Sequence, residues 1–79
     1  GIAMNVSMHG KKIDVVYLPD TNDECGRQLV AGSPGCESMH LSATYHGDRD
    51  EFWIVQMDKG EEVARHNPRY VETIAWAKE

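Results

Sequence analysis

The feature that most constrains the fold is the alternation of apolar and polar residues between positions 38 and 67. Apolar side chains recur at every second position over 39–45, and a polar turn at 46–50 interrupts them. A mainly apolar run follows at 52–57 and ends at a second polar turn, 58–61. Period-two spacing bounded by Gly- and Asp-rich turns is typical of antiparallel strands joined by hairpins. The sequence therefore predicts a small β-rich domain.

The remaining segments extend this pattern. Residues 4–18 predict a first hairpin that ends at Pro19, because proline cannot donate a hydrogen bond to a strand ladder. Asn67 and Pro68 predict a short turn at 67–70. Strand-forming residues then favour a last strand, although helical spacing explains part of the same segment. We expect a mainly β fold, either a small antiparallel meander or a partly open barrel of about five to six strands.

Residues 19–37 form a long loop between the predicted hairpins. Asn and Asp near its start suit a turn or a helix cap, so one short helix over 23–30 is an alternative, which Gly26 weakens. Long irregular loops in compact domains are often functional or held in place by other contacts. Residues 1–3 precede a methionine and are interpreted as a tag remnant, so 4–79 is taken as a single small domain.

Charge and hydropathy exclude several classes of protein. The chain has 79 residues and a net charge of −5. An acidic balance argues against nucleic-acid binding, which usually requires a basic surface. No apolar stretch approaches the roughly 18 residues of a membrane span. We therefore expect a cytoplasmic protein without a membrane segment.

The two cysteines raise a question of redox state and metal binding. A disulfide between Cys25 and Cys36 would close a short loop and would suit a secreted or periplasmic domain. In the cytosol both thiols stay reduced, and this is the state we favour. Together with His40 and His46 the cysteines supply ligands that zinc accepts, but their spacing departs from that of structural zinc sites. We expect neither a metal nor another cofactor, and no catalytic group.

The strand at 52–57 predicts a contact surface, because it carries large apolar groups on both faces. Phe52 and Ile54 point one way, whereas Trp53, Val55 and Met57 point the other way. One face is core, so the other is covered by the 19–37 loop, by the C-terminal segment or by a partner. Trp, Tyr and Arg dominate interface energies. The expected partner-binding residues are Tyr45, Trp53, Arg65, Arg69 and Trp76.

These observations favour a non-enzymatic protein-binding module, an inhibitor or regulator that docks on another protein, either alone or as a homodimer. Small acidic proteins of this kind are common in phages and mobile elements. One alternative is a small barrel that binds single-stranded nucleic acid through Arg65, Arg69 and the aromatic residues. A second alternative is a thiol- or metal-dependent module, built on Cys25, Cys36, His40 and His46.

Overall fold

The computed structural model describes residues 4–22 and 25–78, so the interpreted tag remnant lies outside the described residues. A six-stranded antiparallel sheet forms an open half-barrel, which confirms the predicted mainly β fold. Two short 3-10 turns accompany it: η1 (Val6–Met8) and η2 (Pro68–Tyr70). The strands are β1 (Lys12–Leu18), β2 (Arg27–Val30), β3 (Ser38–His46), β4 (Arg49–Asp58), β5 (Glu61–His66) and β6 (Thr73–Trp76). Within the described residues, no helix is long and apolar enough to cross a membrane.

Strand β1 is the centre of the topology, because it pairs with β2, β3 and β6. Val15 pairs with Val30 of β2 and with Ala75 of β6. Ile13 pairs with a residue of β3 and with one of β6. A strand has only two edges, so β2 and β3 lie end to end along one edge of β1 and β6 occupies the other. The meander β3–β4–β5 continues the sheet away from β1.

The core lies on the inner face of the half-barrel. Leu41 of β3 and Ile54 of β4 are directly paired and fully buried. The other members of the buried cluster are Ile13, Val16, Cys36, Met39, Val71 and Ile74. Burial of apolar surface contributes roughly 25 cal/mol per Å², so the packing of this cluster stabilises the fold. Cys36 and Val71 come from irregular segments, which therefore close the inner face.

Two sequence predictions about the first thirty residues are wrong. The segment before β1 forms the 3-10 turn η1, because the Asn5 side chain accepts a hydrogen bond from the Ser7 N–H and caps it. The hairpin predicted over 4–18 is therefore absent, although its second strand is observed as β1. The alternative helix over 23–30 is also wrong, since Arg27–Val30 forms β2 on the edge of β1. A bulge between Ile13 and Val15 moves Val16 to the core.

The C-terminal prediction is confirmed. Asn67 caps η2 by accepting a hydrogen bond from the Arg69 N–H, and Pro68 occupies its first turn. Strand β6 follows and pairs with β1 at the far side of the sheet. The crossover segment, residues 67–72, therefore connects the end of β5 to the opposite edge of the sheet. Val71 anchors this segment in the core.

Candidate functional site

Strand β4 has large apolar residues on both faces, as the sequence predicts. Ile54 points to the inner face and is fully buried, while Val55 points to the outer face and is only 3% exposed. Val55 lies directly opposite His40 of β3 and Arg65 of β5. Directly paired residues share a face and touch, so these neighbours shield Val55. The outer face is thus covered at its centre by side chains of its own strands.

The 19–37 loop does not cover that outer face at Cys36 or Gly35. Cys36 belongs to the inner-face cluster. The Gly35 carbonyl accepts a hydrogen bond of 2.8 Å from Gln56 Nε2, and Gln56 is paired with Met39 on the inner face. The first explanation offered by the sequence, a loop folded over the second face, is therefore wrong for this part of the loop.

As far as the structure describes the chain, the edge of β4 that faces away from β3 is free over the first five residues of the strand. β3 pairs with β4 along residues 49–57, whereas β5 pairs only with Ile54–Asp58. The pairing between β4 and β5 stops at Ile54. Its partner His66 is the last residue of β5, and the turn at Asn67 and Pro68 follows. Residues 49–53 consequently present one unpaired edge, which we call the β4 edge. An unpaired strand edge is a ready template for another chain.

A groove of about 860 Å³ runs along the β4 edge and is bounded on its other side by the crossover segment. Its strand residues come from both faces, since the groove follows the edge where the two faces meet. Phe52 and Val71 supply apolar surface, and charged groups lie around them. The groove is lined by Met4, His46, Arg49, Asp50, Glu51, Phe52, Trp53, Asn67, Pro68, Arg69, Val71 and Glu72.

Glu51 holds two neighbours of the groove in place. Its Oε1 accepts a hydrogen bond of 2.7 Å from the indole Nε1 of Trp53. Its Oε2 lies 2.9 Å from Nε2 of His46. These side chains are largely exposed, so the ion pair adds little to stability. The bond to the indole nevertheless fixes the Trp53 ring, which leaves an oriented aromatic surface in the groove.

Two arginines of the groove form no ion pair with any residue that the structure describes. Arg49 begins β4 and Arg69 lies in η2, on the two sides of the groove. Within the described residues, the ion pairs are His46–Glu51 and Arg65–Glu62, so neither groove arginine takes part in one. A guanidinium offers five donors, and those of Arg49 and Arg69 are therefore available to a ligand.

The structure brings together only part of the predicted contact set. Trp53 and Arg69 both line the groove. Tyr45 is 67% exposed and lies opposite Asp50, beside the groove without lining it. Arg65 lies on the outer face and donates 2.8 Å and 3.1 Å hydrogen bonds to Glu62, which lower the pKa of that carboxyl. Trp76 lies on β6, where the Lys11 ammonium is 5.0 Å from its ring centroid.

The cysteines and histidines do not assemble into the alternative metal site. Both thiols are free, with Cys25 exposed and Cys36 buried. Burial raises the pKa of the Cys36 thiol, and the negative charge of Asp58 raises it further. His40 and His46 share the outer face, whereas Cys36 lies on the inner side. In the described part of the chain, no group of three or more His, Cys, Asp or Glu side chains could hold a metal ion.

Two consecutive hydrogen bonds on the inner face link β5 to the loop before β3. His66 Nε2 donates to Gln56 Oε1 over 2.9 Å, and Gln56 in turn donates to the Gly35 carbonyl. Burial lowers the pKa of His66, and the positive charge of Arg27 lowers it further. Both effects favour the neutral imidazole of His66, at the position where β5 ends. This arrangement fixes the end of β5 and hence the position of the free edge.

The partner-binding residues expected from the sequence do not include Arg49, Glu51 or the backbone of the β4 edge. The sequence predicts a polar turn at 46–50, but the last residues of that turn already belong to β4. The structure explains the free edge: the ten-residue strand β4 is followed by the six-residue strand β5, and Pro68 follows soon after. A shorter neighbour that ends near a proline leaves part of the longer strand unpaired.

Comparisons of the chain with protein-family models, with curated proteins and with solved structures each found no significant match.

Proposed function

We propose that this chain is a non-enzymatic protein-binding module, a regulator or inhibitor, which docks on another protein through the groove beside the β4 edge. The observation that carries the proposal is the free edge itself, flanked by an oriented indole at Trp53 and by the guanidinium groups of Arg49 and Arg69, which form no ion pair with any described residue. Tryptophan and arginine are the residue types most enriched among binding hot spots.

The groove suits this role better than the outer face does. Val55 is shielded by its own neighbours, and Arg65 on that face is already bound to Glu62. The groove instead combines apolar surface at Phe52 with polar groups that have no partner within the described residues. Interfaces of this type have an apolar centre and a polar rim. Trp53 lies between the apolar surface at Phe52 and the polar groups of the groove, so it can contribute to the apolar centre of an interface.

Capture by the immobilised full-length chain tests the proposal. Extract from the native host is passed over the wild type, and a retained protein is purified and its affinity measured by calorimetry. We expect Trp53→Ala and Arg69→Ala each to weaken that affinity by about tenfold or more, since both truncations remove groove contacts. Arg65→Ala is the matched control for Arg69→Ala, and it should leave affinity within about twofold.

Two results would contradict the proposal. Loss of binding with Arg65→Ala but not with Trp53→Ala would move the interface to the outer face. A wild-type chain that retains no protein under conditions where its circular dichroism shows a folded sheet would argue against protein docking altogether.

A further inference from the structure

The free edge of β4 has room for one additional strand. His66 is paired with Ile54, and the positions opposite Trp53, Phe52 and the residues before them are left open when the chain turns at Asn67. An extended segment in line with β5 would fill them. The same sheet already contains such an arrangement, since β2 and β3 lie end to end along one edge of β1.

The directions of the backbone groups favour an extended segment. Leu41 exchanges hydrogen bonds with Gly10 and Lys11, so its N–H and C=O point away from β4. Alternate residues of an antiparallel ladder point to opposite edges. Ser42 and its partner Trp53 therefore bond to each other, which turns the N–H and C=O of Asp50 and Phe52 toward the β4 edge. Among the described residues, the β5 ladder stops at Ile54, and no turn or loop hydrogen bond of the backbone involves Asp50 or Phe52.

We propose that the partner contributes an extended peptide segment that pairs antiparallel with Asp50 and Phe52 and continues the line of β5. This inference rests on the proposed docking function and names the kind of segment that docks. Main-chain hydrogen bonds supply affinity in strand addition, and alternate side chains supply specificity. The partner's extended segment lies in the groove, between the β4 edge and the crossover segment.

The side chains of the β4 edge indicate which segment fits. Directly opposed residues interact, and opposite charges are favourable there. The partner therefore carries an apolar or β-branched residue opposite Phe52 and a lysine or arginine opposite Asp50. The next residue faces Arg49 and is acidic. In the antiparallel direction this gives an apolar residue, any residue, a basic residue and an acidic residue, in that order.

Charge argues against a second copy of the chain as the occupant. Self-pairing must oppose residues whose backbone N–H and C=O groups point to the free edge. Three symmetric registers do so with their centre on or between Asp50 and Phe52. One register opposes Asp50 to itself, and a second opposes Glu51 to itself. Like charges directly opposite destabilise strand pairing. The third opposes Phe52 to itself and requires the backbone of Ile54, which already pairs with His66.

The probe is a synthetic capped peptide whose central residues are flanked by threonines. It places isoleucine opposite Phe52, lysine opposite Asp50 and glutamate opposite Arg49. It is titrated to millimolar concentration into the folded, nitrogen-15-labelled chain. We expect the amide resonances of Asp50 and Phe52 to shift most and to show cross-strand contacts with the peptide backbone. A peptide with lysine and glutamate exchanged should bind about tenfold more weakly, because both opposed charge pairs become like pairs.

A backbone variant separates strand pairing from side-chain docking. The full chain is assembled by ligation at Cys36 with an N-methyl group on the Phe52 amide, which removes the donor and blocks the edge. We expect at least a tenfold loss of peptide affinity. N-methylation of Arg65 is the matched control, since alternation turns that amide to the outer edge of β5, away from the groove. The control should bind within about twofold of the unmodified chain.

Each alternative outcome is decisive. If the peptide binds equally well to the N-methyl-Phe52 chain but not to Trp53→Ala, strand pairing is overturned while docking in the groove stands. If the peptide does not bind at all, the strand proposal fails, and the capture experiment decides the docking function separately. If sedimentation shows a dimer that N-methylation of Phe52 abolishes, the occupant is a second copy and the proposed partner is wrong.

Discussion

The two cysteines lie in opposite environments, and this difference sets their reactivity. Cys36 is 2% exposed and packs among apolar side chains of the inner face. Burial and the charge of Asp58 raise its pKa, so the reactive thiolate is scarce and sheltered. Cys25 is exposed beside β2. We therefore assign Cys36 to packing and Cys25 to surface chemistry.

Labelling of thiols tests this assignment. With a disulfide-exchange reagent at about pH 8, one thiol should react within minutes in the folded chain and the second only after denaturation. Cys25→Ser should remove the fast phase, and Cys36→Ala should remove the slow one. If the denatured, unreduced chain shows no free thiol, the protein contains the disulfide instead.

His66 makes stability depend on pH. Burial and then the charge of Arg27 lower the pKa of His66 in the folded state, whereas a histidine in the unfolded chain has a pKa of about 6.5. Between these two pKa values the unfolded state binds more protons, so the free energy of unfolding rises with pH. Below the folded pKa this dependence ends.

We expect urea unfolding to show stability falling as the pH is lowered from about 7 through about 6.5. His66→Gln keeps a polar side chain beside Gln56 and cannot titrate, so it should flatten this part of the profile. A wild-type profile that is flat over this interval would contradict the role of His66.

The hairpin between β4 and β5 shows how a turn sets register. Lys59 has a φ of 54° and Gly60 a φ of 78°, so both central residues are left-handed, as a type I′ turn requires. Glycine adopts this conformation freely, but lysine does not. The turn places Asp58 opposite Glu61, and from there the ladder runs to Ile54 and His66.

Asparagine tolerates the left-handed region better than lysine does. We expect Lys59→Asn to raise the free energy of unfolding by roughly 0.5–1 kcal/mol, measured by urea denaturation. Lys59→Gln removes the same charge without relieving the backbone and is the matched control, with an expected change near zero. Lys59→Val should destabilise the chain. Equal effects of asparagine and glutamine would show that charge, not backbone conformation, matters here.

Period-two spacing made β3, β4 and β5 predictable, and the Asn-Pro pair made η2 and β6 predictable. Strand β2 was missed because it has only four residues and its neighbours include Gly26, so tertiary pairing with β1 overrides weak local propensity. The bulge in β1 has no signature in the apolar pattern. The candidate site was found in part: aromatic and arginine types pointed to Trp53 and Arg69. The free edge depends on where β5 ends, which is a property of pairing.

At the scale of the whole molecule, the half-barrel leaves open edges that charge must protect. In the described chain β5 pairs only with β4, and β6 only with β1. The outer edge of β5 carries Glu61, Glu62 and Arg65, and charged residues on an edge oppose pairing with other copies. The net charge of −5 adds repulsion between molecules. The groove, by contrast, offers an edge with apolar surface beside it.

Removal of this protection should cause self-association. We expect light scattering to show larger particles as the pH approaches the isoelectric point near 5.2, where the net repulsion vanishes. At about pH 7, replacing both Glu61 and Glu62 by threonine should have the same effect, because the β5 edge loses its acids and gains a strand former. The pair Glu37→Thr and Glu72→Thr changes net charge equally but leaves that edge intact, so it should stay monodisperse. Association of both double variants to the same extent would mean that net charge alone keeps the molecules apart and that the β5 edge has no special part in it.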